Sequence, residues 1–194
     1  MTLFIVGGNR KHEDEPLRSL ILQLKKLNLS FVLITDKIHL YKECKNFNNL
    51  NEFLKKYKIK YYLFNNINLE YIRLKNLVKE KNSYLLALNS IWIFKKEIIN
   101  LFKNRIFNLH IGKLPNQKGA GGASWQILSQ DKFSAATIHE ISNKIDDGKI
   151  LIEKKFSIKK TISLIEYYRS VNVVENEILK QFVHMISRKK KLKF

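Results

Sequence analysis

Short apolar runs alternate with longer stretches whose apolar residues recur every three or four positions, and this alternation governs the chain as far as residue 110. LFIV (3–6) is closed by Gly7-Gly8-Asn9, a strand followed by a turn. Asp14, Glu15 and Pro16 then open a helix, with proline at an early position and acids near its positive end. Leu17, Leu20, Ile21, Leu24 and Leu27 fall on one helical face. SFVLIT (30–35), KYYLFN (60–65), SYLLAL (83–88) and RIFNLH (105–110) read as further strands. Residues 49–57, 69–80 and 93–103 read as the helices between them, and 36–49 as polar and irregular chain up to the first of these. Strand and helix in strict alternation build a mostly parallel sheet covered on both faces, an α/β fold.

The pattern changes after residue 111. GKLPNQKGAGG (112–122) holds four of the chain's seven glycines and one of its two prolines, so it reads as a loop. Ala123–Gln130 is a short helix. SAATIHEI (134–141) and KILIEKKFS (149–157), joined by SNKIDDG, read as an antiparallel pair at the sheet edge, near 134–157. A long helical pattern covers 161–187, with apolar positions at 164, 165, 171, 174, 178, 182 and 185. We see no internal repeat and no interdomain linker. The expected organisation is a single domain over 1–187 and a basic tail, 188–194.

Composition narrows the function classes. No run of about 18 apolar residues occurs, so no membrane span is expected. The N-terminus has no basic leader and reads as a first strand. One cysteine, Cys44, excludes an internal disulfide and suits a reducing, cytoplasmic setting. Lys and Arg total 36 against 17 Asp and Glu, a formal net charge of +19 that attracts anions. The chain is also rich in Asn, Ile and Tyr, whose codons, like those of Lys, are AT-rich. Its lysines are spread along the sequence, at 25–26, 55–56, 95–96, 154–155 and 159–160. Nucleic acid is therefore not the expected partner. His12, His39 and His184 show no metal-ligand spacing with Cys, Asp or His, so they read as surface residues and no metal is expected.

Ligands of parallel α/β sheets sit at the carboxyl ends of strands. Asn108 and His110 lie at such an end, two apart, and so project to the same face. Asp146, in the loop between the two later strands, can approach them. An amide, an imidazole and a carboxylate supply a hydrogen-bond donor for a developing oxyanion, a proton carrier and an orienting base. Each piece alone has an ordinary reading: Asn-x-His at a strand end is commonly structural, and Asp-Asp-Gly is a turn.

Their order carries more than the pieces do. Asn108-Leu-His110, Leu114-Pro115, Gly119, Thr137-Ile-His139 and Asp146-Asp-Gly148-Lys-Ile150 resemble the folate-dependent formyltransferase family over about residues 92–152. Its branches act on glycinamide ribonucleotide, on methionyl-tRNA and on amino sugars. The resemblance implies a Rossmann-like sheet and N10-formyltetrahydrofolate as cosubstrate, with no metal. It implies that Asn108 hydrogen-bonds the formyl oxygen, that His110 carries the proton, and that Asp146, not Asp147, is the acid. His139, Thr137 and Gly119 would support these three. The folate would lie across 86–92 and 140–146, on Leu86, Ala87, Leu88, Ser90, Trp92, Glu140, Ile141 and Ile145, mostly through backbone groups.

The Gly-rich stretch followed by Ser124-Trp125-Gln126-Ile127 is most similar to the amino-sugar branch. The segment Gly7-Gly8-Asn9-Arg10 departs from the Gly-Ser-Asn phosphate loop of the purine branch. Residues 161–194 read as mostly helical, so the barrel domain of the tRNA branch is not expected. The expected acceptor is the primary amine of a nucleotide-linked amino sugar, with Arg10, Lys11, Lys113 and Lys118 as candidates for its diphosphate. Glycinamide ribonucleotide, Met-tRNA, or a catalytically silent basic binding module are the alternatives. A homodimer is compatible with this reading. Trp92 and Trp125 read equally well as core or as pocket walls.

Overall fold

The computed structural model describes residues 1–8, 15–43 and 46–188. The parallel part consists of β1 (Leu3–Gly7), β2 (Phe31–Thr35), β3 (Tyr61–Leu63), β4 (Tyr84–Leu88) and β5 (Ile106–Ile111). Two antiparallel strands, β6 (Phe133–Glu140) and β7 (Ile150–Ser157), extend it on the β5 side. The sheet order is β3-β2-β1-β4-β5-β6-β7. The helices are α1 (Glu15–Lys26), α2 (Lys37–Leu40), α3 (Leu50–Lys56), α4 (Tyr71–Leu77), α5 (Lys96–Phe102), α6 (Gly122–Leu128) and α7 (Leu164–Ser187). This is the α/β architecture the alternation predicts, antiparallel edge included.

The core forms because successive β residues point to opposite faces. Leu3 and Ile5 of β1 pack with Leu17, Leu20, Ile21 and Leu24 of α1 and with Phe182 of α7. Phe4 and Val6 pack on the other face with Leu74 of α4 and Phe102 of α5. The Phe4 and Phe102 rings meet edge-on at 5.5 Å. Each such buried side chain contributes roughly 1.5–3 kcal/mol.

Several boundaries differ from the sequence reading. Leu27 is exposed, because α1 ends at Lys26 and Asn28 turns the chain at φ 55°. The expected irregular segment 36–49 contains α2, whose first turn Asp36 caps by accepting from the His39 amide. His39 is accordingly buried against Asp36 and is not a surface residue; its Nδ1 lies 2.5 Å from Asp36 Oδ2. Residues 93–95 stay outside α5: the Ile93 carbonyl and the Lys95 amide both bond the Asn68 side chain. Ser163 and Glu166 form a capping box that starts α7. Leu164 and Ile165 in its first turn are exposed, and burial begins at Tyr167. His12, Cys44, Asp14, Arg10, Lys11 and the tail 189–194 lie outside the described residues. Among the described residues no helix is long and apolar enough to cross a membrane.

The β5–β6 ladder fixes which side chains meet at the strand ends. Its register places Asn108 opposite His139 and His110 opposite Thr137. Directly opposed side chains of an antiparallel pair share one face.

Candidate active site

A cavity of about 510 Å³ opens where β4 and β5 end. Asn108, His110, His139 and Asp146 line it together, as do Gly119 and the loop 141–145. The sequence's central candidates thus converge, although Asp146 stands 36 positions beyond His110 in the chain.

Asp146 is the hub. Its Oδ1 lies 3.3 Å from Asn108 Nδ2 and 3.3 Å from His139 Nε2. Its Oδ2 accepts from the Gly119 amide at 2.9 Å and faces His110 Nδ1 at 3.4 Å. Burial by itself pushes this carboxyl up. The hydrogen bond from His139, the Gly119 amide and the positive charge of the two histidines outweigh it and hold the group at about 2. Asp147 points away, is exposed, and pairs with Lys118.

Both imidazoles are oriented by backbone carbonyls. His110 Nε2 is 2.6 Å from the Gln117 carbonyl, and His139 Nδ1 is 2.7 Å from that of Glu140. A carbonyl only accepts, so each of these nitrogens carries a hydrogen. The opposite nitrogens, His110 Nδ1 and His139 Nε2, are thereby aimed at Asp146. The amide nitrogen of Asn108 sits between Asp146 and His139 Nε2, the latter also at 3.3 Å. Thr137 donates to the Gly112 carbonyl at 3.2 Å and ties the start of the glycine-rich loop to β6.

Two glycines are fixed by close approach. A Cβ at Gly148 would stand 1.9 Å from the Glu140 carbonyl oxygen, so the hairpin that delivers Asp146 closes only over a hydrogen. Gly112 adopts φ 149°, and a Cβ there would meet both the Gln117 carbonyl oxygen and His110 Nε2 at 2.9 Å.

The residues expected along a folate divide by sheet face. Ala87, Ser90, Trp92, Ile141 and Ile145 line the cavity. Leu86 and Leu88 point into the core on the other face. Glu140 lies beneath the hairpin, where burial pushes its carboxyl up against the opposing pull of Lys149 and its Oε1 is buried without a hydrogen-bond partner. Trp92 is a buried wall, whereas Trp125 is 70% exposed. Asn89, within the expected 86–92 stretch, lines the cavity too, whereas sequence reasoning missed Phe94 and Tyr168, which also line it. Tyr168 comes from α7, far along the chain, and no local pattern marks it. Lys113 and Lys118 are engaged by Asp131 and Asp147.

Residues 17–183 match the family described as formyl transferase. The chain belongs to that family. Among curated formyl transferase relatives, the methionyl-tRNA formyltransferase of Borreliella afzelii is 36% identical over 85 residues, which are 43% of this chain and 27% of that protein. The chain therefore spans well under two thirds of the length of such relatives. Two solved members share the fold. The phosphoribosylglycinamide formyltransferase of Bacillus halodurans superposes with a TM-score of 0.79 at 20% identity, covering 100% of this chain and 99% of that one. The N-formyltransferase of Helicobacter canadensis, solved in complex with folinic acid and dTDP-3-aminofucose, gives 0.76 at 20% identity over 96% and 64%. Among the described residues of this formyl transferase family member, no group of three or more His, Cys, Asp or Glu is placed to hold a metal ion.

Proposed function

We propose that this protein transfers a formyl group from N10-formyltetrahydrofolate to the primary amine of a nucleotide-linked amino sugar, with residues 1–187 as its catalytic domain. The observation that carries the reading is the convergence of Asn108, His110, His139 and Asp146 on one cavity at the strand ends. Negative charge develops on the formyl oxygen as the amine attacks. Asn108 Nδ2 donates to it, giving up one of its two internal contacts, and His110, whose Nδ1 faces the same carboxylate, is the proton carrier. Asp146, held ionised, orients the imidazole and helps take up the proton the amine releases; the bond from the formyl carbon to N10 then breaks, and His110 supplies the proton that the departing folate nitrogen takes. The folate occupies the lobe walled by Ala87, Trp92 and Ile141. The acceptor enters past Gly119, Ala120, Gly121, Ser124 and Tyr168, which line the same cavity.

The amino-sugar acceptor is supported by Ser124-Trp125-Gln126-Ile127 after the glycine-rich loop, and by the fold shared with an enzyme crystallised with dTDP-3-aminofucose. The test is a side-by-side assay reading tetrahydrofolate release with nucleotide-linked amino sugars, glycinamide ribonucleotide and Met-tRNA. Formylation of the sugars is the expected outcome. Formylation of glycinamide ribonucleotide alone replaces the acceptor and leaves the transfer chemistry standing. Folate binding with no transfer to any amine makes the protein a silent binding module.

A further inference from the structure

We propose that Gln117 and Asp131 are positioning residues for His110: together they brace the backbone carbonyl on which the imidazole is docked, and so keep the hydrogen on Nε2 and Nδ1 turned toward Asp146 and the substrate. The proposal rests on the reading of His110 as the proton carrier. Neither side chain lines the cavity.

A flip of the His110 ring about its Cβ–Cγ bond would set Cδ2 in place of Nδ1 opposite Asp146 and Cε1 in place of Nε2 opposite the Gln117 carbonyl. That carbonyl, 2.6 Å from Nε2, holds the ring against the flip and the hydrogen on Nε2. That carbonyl belongs to a tight turn in which the Gln117 amide donates to the Lys113 carbonyl at 2.9 Å. A loop turn beside four glycines would drift unless something outside it held it. The Gln117 side chain supplies the restraint. Its Oε1 accepts from the Lys113 amide at 2.7 Å, and its Nε2 donates to Asp131 Oδ2 at 2.6 Å. Asp131 is itself planted: its amide bonds the Gln126 carbonyl at 3.1 Å, just beyond α6, and Lys113 Nζ lies 3.7 Å from its carboxylate. The brace thus links the turn, the end of α6 and the approach to β6. Behind it there is no slack, because the Gly112 backbone runs against both the carbonyl and the ring. A hydrogen bond to a carboxylate is among the stronger ones a neutral amide makes.

The experiment uses the full chain labelled with 15N-histidine. Nitrogen spectra of His110 are recorded beside kcat, KM and their pH profiles for wild type, Gln117→Ala, Asp131→Ala and the conservative Asp131→Asn. Gln117→Met, which keeps the side chain's length without its amide, stands in if the alanine variant fails to fold. In the wild type, His110 is expected to show a stable Nε2–H. In Gln117→Ala and Asp131→Ala the ring should populate both tautomers, and kcat should fall roughly tenfold to a hundredfold, as for a displaced catalytic group. KM for formyl-folate should stay within about twofold, since uniform binding is untouched. Asp131→Asn, which keeps an acceptor oxygen for Gln117 Nε2, should recover most of the rate. An unchanged His110 spectrum in the folded variants overturns the proposal, whether kcat falls or not. A wild-type protein with no transfer to any amine would defeat the functional reading alone, because the spectra judge the brace without turnover.

Discussion

The sheet's parallel part and its antiparallel edge are built from different kinds of residue. In β1 every side chain from Leu3 to Val6 is apolar and almost wholly buried, and the strand offers no chemistry along its length. The edge, and the end of β5 that it pairs with, bury polar groups: His110 on β5, Ser134, Thr137 and His139 on β6, and Gln126 on the neighbouring helix. Most of them find partners close by: the Tyr167 hydroxyl bonds both Ser134 and Gln126 Oε1, Thr137 bonds the Gly112 carbonyl, and the two imidazoles bond the Gln117 and Glu140 carbonyls. The parallel part holds the protein together. The edge uses that stability to keep polar groups in fixed positions.

If the division is right, substitutions on its two sides fail in different ways. His110→Ala should take turnover below detection while folate titration remains near wild type; loss of binding together with activity would move His110 to the structural side. Phe4→Ala, in the parallel part, should cost about 3–5 kcal/mol of stability by urea unfolding, with kcat of the remaining folded enzyme unchanged. A fall in kcat there would blur the distinction. Asn108→Ala should lose roughly 10²–10³ in rate, the usual loss of one oxyanion donor, with little change in melting temperature.

Asp146→Asn should lower turnover on the order of a hundredfold, whereas the exposed Asp147 changed to Asn should leave it nearly intact. The reverse ranking would reassign the acid. The smallest effect is in pH. With its carboxyl lowered from 3.8 to about 2, Asp146 contributes stability that is fully present above pH 4 and is lost as pH falls through 2. The contribution is roughly 2 kcal/mol. Denaturant unfolding at pH 5 and pH 2.5 should show the wild type losing more than Asp146→Asn; equal losses would mean the carboxylate is not held by its neighbours.

The parallel part was legible because burial on both faces leaves a plain signature, a continuous apolar run between turns. Boundaries were less so. Leu27 keeps the helical period although α1 has already ended, since period alone does not say where hydrogen bonding stops. His39 looked like surface because its partner, Asp36, is a cap that only the folded turn brings near. The convergence of Asn108, His110 and Asp146 was legible through the order of motifs. The carbonyls that orient the two imidazoles were not, since any residue type can supply a backbone oxygen. Tyr168 was equally silent, arriving from a helix whose apolar stripe explains its neighbours without it.

Asn108 and His139 are partners in a ladder, as are His110 and Thr137, and this has a consequence for how such a chain can change in length. A residue gained or lost within β5 or β6 would turn every side chain beyond it to the opposite face, sending His110 or His139 into the core in a single step. A loop on the parallel side can lengthen at a cost that grows only with the logarithm of its size. Lineages of this fold are therefore free to gain and shed segments around β1, β2 and β3, while the stretch from Ile106 to Glu140 is open to length change only in the loop and helix between the two strands.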